Sequence, residues 1–302
     1  MTDNGAFHQS WYAVALASEL GPGGLVGKDF LGTRIVLWRD GAGRVRVQSA
    51  YCPHLGADLA AGALVDGRLR CAYHHWSYDA AGVCVDIPTG DKIPPAARLF
   101  TYPSVEAWGL IWAFNGPTPL FEVPGIPGID EASLAYEAHV RGVRPRQPWI
   151  AVSNGVDFQH LRALHGLSAA MAPAELEVSE YALEYRTESP MHVHHGRITG
   201  PNTFAQRLRV PGGDDQYMLF TGTPISAEAS IGYYVFGVPA TAKGISDRLA
   251  ALHAFIQKLA AEDAVVLDTI RFRKGTLVAS DRHLARFLRF VETFPAAAPP
   301  AA

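Results

Sequence analysis

Two short stretches, Tyr51-Cys52-Pro53-His54-Leu55-Gly56 and Cys71-Ala72-Tyr73-His74-His75-Trp76, decide how this chain is read. Each offers one thiolate and one imidazole: Cys-x-His, sixteen residues, then Cys-x-x-His. Two Cys on one iron and two His on the other form the donor set of a mixed-ligand [2Fe–2S] cluster. Neutral imidazoles in place of anionic thiolates make such a cluster easier to reduce, at roughly −150 to +300 mV against about −400 mV for a plant-type ferredoxin. A chain that holds one moves single electrons. The same Cys2His2 set could hold a structural zinc ion, which has no visible absorbance. His75 is a rival donor, but the spacing favours His74.

Around these loops the first 115 or so residues read as short strands and turns. Arg34–Arg39 and Val45–Ala50 are apolar runs joined by Asp40-Gly41-Ala42-Gly43, a hairpin signal, and Leu110–Phe114 is another strand candidate. Pro and Gly then crowd together at Gly116-Pro117-Thr118-Pro119 and Pro124-Gly125-Ile126-Pro127-Gly128, which marks a linker. The expected division is an all-β cluster domain over 1–118 and a second domain over 119–302, with a Pro/Ala-rich tail from 295 that frays. In the second domain Gln147–Leu167 reads as mainly helical. Tyr181–Thr187, Thr203–Val210, Tyr217–Thr223 and Gly232–Val238 read as strands, and Asp247–Phe272 reads as a long helix. Helix, antiparallel strands, helix is an α+β plan.

The chain has 302 residues, of which 48% are hydrophobic and 18% charged, enough for real cores and against disorder. A formal charge of −3 gives no reason to expect nucleic-acid binding. No basic start precedes a long apolar run, and no stretch approaches the roughly 18–20 apolar residues that span a bilayer. A cytoplasmic protein with no membrane contact is the expectation. Three Cys, two of them in the loops, argue against a disulfide framework, and Cys84 in Val83-Cys84-Val85 reads as a small buried hydrophobe.

A second set of donors lies in Asn154-Gly155-Val156-Asp157-Phe158-Gln159-His160-Leu161-Arg162-Ala163-Leu164-His165. On an ideal helix, positions five apart point about 140° away from each other. His160 and His165 can share a metal only if the helix is distorted or broken over Leu161–Leu164. Asp157 and His160, three apart, share a helix face, which lets the Asp157 carboxylate accept from the imidazole nitrogen turned away from a metal. On the late helix Leu249, Leu252, Ile256, Leu259, Asp263, Val266 and Ile270 form one apolar stripe with a carboxylate inside it. A carboxylate facing a core is costly unless it is paired or ligates a metal. Glu262 and Asp268 lie off the stripe and read as solvated charges. His160, His165 and Asp263 would make a two-His, one-carboxylate set with open positions on a mononuclear Fe(II). His192-Val193-His194-His195 reads as cavity-lining or surface imidazole.

With both motifs in this order, the chain resembles the oxygenase component of Rieske non-haem iron oxygenases, closest to the short monooxygenase and demethylase branch of the dicamba or vanillate demethylase kind. The resemblance implies Cys52 and Cys71 on the inner cluster iron and His54 and His74 on the outer one. It implies His160, His165 and Asp263 on mononuclear Fe(II), and Asp157 as the carboxylate that passes electrons from a neighbouring subunit's cluster. Asn154 matches a residue near the iron. It further implies a helix-grip catalytic domain and a head-to-tail homotrimer. O2 as co-substrate and a separate ferredoxin or NAD(P)H reductase follow as well. Departures fall at Ala72 and His75, where Pro and Gly are usual, and at Leu55, where Arg is common.

The expected reaction is hydroxylation or oxidative demethylation of a small, largely apolar organic substrate, with desaturation and dihydroxylation as rival outcomes. Its pocket is expected between the sheet and the ligand helices, with His192, Tyr217, Phe220 and Phe236 as wall candidates. The alternative from a different class is an electron carrier or small-molecule-binding protein without catalytic iron.

Overall fold

The computed structural model describes residues 6–167, 173, 175–189, 192–209, 213–273 and 275–298. The described residues form two compact units, one within 6–123 with 225–227 and 296–298, the other within 124–224 and 228–295.

The first unit is all β. The expected hairpin forms between Thr33–Arg39 and Val45–Ser49, with Arg39 opposite Val45. Its turn is closed by the Asp40 carboxylate, which accepts the backbone N–H groups of Ala42 and Arg44. The run Ile35-Val36-Leu37-Trp38 is buried on both faces, and strand alternation divides it. Ile35 and Leu37 join a core with Tyr12, Phe30 and Ile111, whereas Val36 and Trp38 join one with Cys52, Cys71, Tyr78 and Cys84. One strand therefore belongs to both the sheet core and the core beneath the ligand loops. Cys84 is buried in that second core, and all three cysteines are free thiols. Of the expected tail, Ala296–Ala297 pair with Phe7–His8, and residues 299–302 lie outside the described part.

The second unit is built on a seven-stranded antiparallel sheet: β1 (Leu134–Arg144), β2 (Glu177–Val178), β3 (Ala182–Ser189), β4 (His192–Thr199), β5 (Thr203–Arg209), β6 (Gln216–Pro224) and β7 (Ser230–Pro239). Their order is β1-β7-β6-β5-β4-β3-β2. The four expected strands are present. β1 was not legible, because Leu134-Ala135-Tyr136-Glu137-Ala138-His139 has little apolar alternation; as an edge strand it needs only one hydrogen-bonded neighbour.

The segment expected to be one helix is two short ones, α1 (Pro148–Val152) and α2 (Phe158–Ala163), separated by a 3-10 turn over Ser153–Gly155. The long helix, α3, runs Ile245–Leu267, five residues short of the expected end, and α4 follows at Arg282–Thr293. Leu249, Leu252 and Ile256 bury against Met218, Tyr234, Phe236 and Val238 on the sheet. The apolar stripe stops there: Val266 and Ile270 are exposed, and Leu267 continues the buried face. No helix among the described residues is long and apolar enough to cross a membrane.

Candidate metal centres

The two cluster loops have the same hydrogen-bond pattern. In the first, the Cys52 N–H donates to Ala57 O (2.9 Å) and the Gly56 N–H to Cys52 O (2.8 Å). In the second, the Cys71 N–H donates to Trp76 O (2.9 Å) and the His75 N–H to Cys71 O (3.1 Å). The equivalent step is left-handed in both, Gly56 at φ 75° and His75 at φ 58°. Position 75 thus carries a side chain where the turn favours glycine, at a cost of about 1–2 kcal/mol.

These turns bury the sulfurs and expose the imidazoles: Cys52 and Cys71 are core residues, whereas His54 and His74 are exposed. The His54 ring stacks on Trp76 (4.5 Å, 4° between planes) and lies 4.5 Å from that of His74. Tyr78, fully buried, places its hydroxyl 3.0 Å from Cys52 Sγ. Burial pushes the Cys52 thiol up, against the Tyr78 hydrogen bond that pulls it down. A thiolate in that core needs a cation.

The donor geometry also separates one ion from two. Among the described residues, groups of three donors within 4.8 Å of one another occur at Glu137, His139 and His253 and at His160, His165 and Asp263. No three of Cys52, His54, Cys71 and His74 do so. Donors on a tetrahedral zinc would, with bonds of about 2.0–2.3 Å. Paired donors held further apart suit the two poles of a [2Fe–2S] cluster. Replacing Tyr78 by Phe removes a donor that stabilises the more negative, reduced cluster. A lower reduction potential with an unchanged visible spectrum is expected in a redox titration, and an unmoved potential would count against that hydrogen bond.

In the second unit, the Asp157 carboxylate caps α2, accepting from the N–H groups of Gln159 (3.1 Å) and His160 (3.2 Å). Its contact with the His160 imidazole is through the backbone: Nδ1 donates to Asp157 O at 2.5 Å. The expectation that the carboxylate itself holds this ring is corrected, because the backbone carbonyl already takes the Nδ1 proton while Oδ1 caps the helix. α2 ends at Ala163, between the two histidines, as their spacing requires. The Leu167 N–H then reaches back to Leu161 O, with Gly166 at φ 66°. That reversal brings the ring centroid of His165 to 5.2 Å from that of His160.

Asp263 completes the group, with Oδ1 3.2 Å from His165 Nε2 and accepting from Asn154 Nδ2 at 3.1 Å. The His165 side chain is 2% exposed and that of Asp263 16%. His165 Nδ1 donates to Glu262 Oε2 at 2.7 Å. With Nδ1 of His165 on Glu262 and Nδ1 of His160 on the Asp157 carbonyl, each ring leaves Nε2 as the nitrogen available to a metal. Glu262 is thus a ring-orienting group and not a solvated charge. Asp268 was also misread: it pairs with Arg144 and Arg146. Glu262→Gln is expected to weaken metal binding by about 10–100-fold, the usual effect of losing an orienting partner. Iron retention against a graded chelator measures it.

The group lies on the wall of a cavity of about 320 Å³, lined also by Asn154, Tyr185, Phe204 and Phe220. Burial pushes the Tyr185 phenol up and keeps it protonated, able to donate to Gly155 O at 3.0 Å. His194 lines the cavity, with Nε2 near Tyr185 Oη (3.1 Å) and Gln206 Oε1 (2.9 Å). Of the wall candidates, Phe220 lines it, as does Asn154, the residue expected near the iron. Tyr217 does not: strand alternation turns it from Met218 and Phe220, and its hydroxyl donates to Asp215. Phe236 does not either, being fully buried under α3. The His192 side chain lies outside the described part. Glu137, His139 and His253 are away from this cavity, and His253 Nε2 already meets Tyr234 Oη and Gln257 Nε2 at 3.0 Å each.

Arg141, Arg144 and Arg146 also line the cavity. They were missed, although Arg-x-x-Arg-x-Arg ahead of the histidine segment is visible in the chain.

Residues 10–103 match the Rieske [2Fe-2S] domain family. The chain is 34% identical over 172 residues to cholesterol 7-desaturase of Bombyx mori, covering 54% of this chain and 36% of that protein. It is 34% identical over 179 residues to aminopyrrolnitrin oxygenase PrnD of Pseudomonas fluorescens, covering 52% and 46%. It thus spans less than half the length of these curated relatives. The crystal structure of apo dicamba monooxygenase superposes with a TM-score of 0.74 over 94% of this chain and 96% of that one, at 21% identity.

Proposed function

Because residues 10–103 match the Rieske [2Fe-2S] domain family and the chain shares its fold with dicamba monooxygenase, we propose that it is a terminal oxygenase. It hydroxylates or oxidatively demethylates a small, largely apolar organic substrate. The observation that carries this reading is the convergence of His160, His165 and Asp263 within 4.8 Å at the wall of a mostly apolar cavity. Cys52, Cys71, His54 and His74 would hold the cluster, and the convergent triad a mononuclear Fe(II). When bound, the cluster supplies single electrons and the Fe(II) supplies the reductive activation of O2 that puts one oxygen atom into a substrate C–H bond.

The residues' own tasks follow from their contacts. Glu262 and the Asp157 carbonyl hold the protons of the two imidazoles away from the metal side. Asn154 restrains one Asp263 oxygen. Phe204, Phe220 and Leu259 exclude water and orient the apolar body of the substrate. Where the attacked carbon is an O- or N-bound methyl, the hydroxylated product collapses with loss of formaldehyde.

The organisation proposed with this activity is a cluster domain over 1–118 and a catalytic domain over 119–302, in a cytoplasmic homotrimer. Asp157 passes electrons to the catalytic site, and a separate ferredoxin or NAD(P)H reductase provides them. The test is O2 uptake with a generic reductase across aromatic, alicyclic and N-methyl compounds, beside iron analysis. Substrate-dependent uptake with iron in excess of the cluster is expected. Cluster iron alone, with no uptake on any compound, would leave an electron carrier.

A further inference from the structure

The three cavity arginines are not equivalent. Arg144 and Arg146 share Asp268, and the Arg146 side chain is 4% exposed in that pair. Arg141 has no ion pair among the described residues. Its one hydrogen bond is from Nη2 to Ala260 O (2.8 Å), one turn before Asp263 on α3, and its Nε is buried without a partner.

The backbone places it there deliberately in structural terms. β1 pairs Val140 with Tyr233 and then Gly142 with Gly232, so Arg141 is an extra residue in the ladder. Gly142 takes φ 80°, and Gly232 opposite leaves room that a Cβ would narrow to 3.3 Å from that of Arg141. In a regular strand residues 141 and 144 point to opposite faces. The bulge resets the alternation and brings both into one cavity.

The charge on the wall is then unbalanced. Three guanidiniums face Asp268 and Asp263, and Asp263 belongs to the metal triad. Burial pushes the Arg141 guanidinium down, with Asp263 pulling it up. A neutral guest would leave this cation desolvated and unpaired, which is costly; a carboxylate matches its fork with two charge-assisted hydrogen bonds.

We propose that Arg141 determines specificity in this cavity and that the substrate is a small organic anion, an apolar body bearing a carboxylate that Arg141 binds. This rests on the cavity being the substrate site of the oxygenase reading, and it narrows the substrate to acids. A guanidinium that only pins α3 to β1 would be insensitive to the charge of a guest.

The experiment is calorimetric binding to the iron-loaded protein, without reductase, of benzoate, cyclohexanecarboxylate and 1-naphthoate, each beside its primary amide. At least one acid is expected to bind about tenfold or more tighter than its amide. Arg141→Met and Arg141→Gln should abolish that preference while melting temperature and iron content stay at wild-type values. Equal binding of every acid and its amide would overturn the proposal, as would a preference that survives in either folded variant. Binding is read apart from turnover, so acids that bind through Arg141 to a chain that consumes no O2 would sink the oxygenase reading and leave the anion site standing.

Discussion

Asp263→Ala is expected to keep the visible absorbance of the cluster, to lose the iron outside it, and to lower substrate-dependent O2 uptake by about a thousandfold or more. Asp263 lies on α3, in the unit that does not contain the cluster loops, so the substitution touches no cluster donor. It deletes one of three convergent donors and also the acceptor for Asn154. Two histidines alone leave a divalent iron with neutral donors only, and hard Fe(II) sites of this type depend on their carboxylate. Metal analysis with optical spectra on the same sample separates the two centres. Wild-type turnover in this variant would remove Asp263 from the ligand set.

The second large effect is expected at Asp157, where substitution must respect its local task. Alanine would delete the cap of α2, worth about 1 kcal/mol, and confound any kinetic result. Asparagine caps as well as aspartate and carries no charge. Asp157→Asn is therefore expected to keep melting temperature, cluster and iron content, yet to slow reoxidation of the reduced cluster in the presence of substrate and O2 by about tenfold or more, the effect of losing a charge-assisted hydrogen bond on the proposed electron route. Single-turnover stopped-flow spectroscopy of the cluster measures it. Reoxidation at the wild-type rate would exclude a carboxylate-dependent electron route and leave Asp157 as a helix cap.

The metal donors were legible because their chemistry is written in local spacing. Cys52 with His54 and Cys71 with His74 sit in turns closed by hydrogen bonds four or five residues long, so the motif and the turn are one object. His160 and His165 were legible as a pair that demanded a helix break, and α2 does end between them. The partners of these donors were less legible. Glu262 looked solvated because it falls beside the apolar stripe of α3, yet it meets a histidine 97 residues away. Tyr217 and Phe236 looked like cavity walls because aromatic strand residues commonly are; alternation and the position of α3 put them elsewhere.

By itself, the chain determined the two cluster loops, the His160–His165 pair, a carboxylate within the apolar stripe of the late helix and an α+β plan, since each is written in spacing within one local segment. Tertiary structure alone decided that Glu262 orients His165 and that a one-residue bulge turns Arg141 into the cavity. Those outcomes depend on packing between segments about a hundred residues apart and on strand register, where a shift of a single residue moves a side chain to the opposite face.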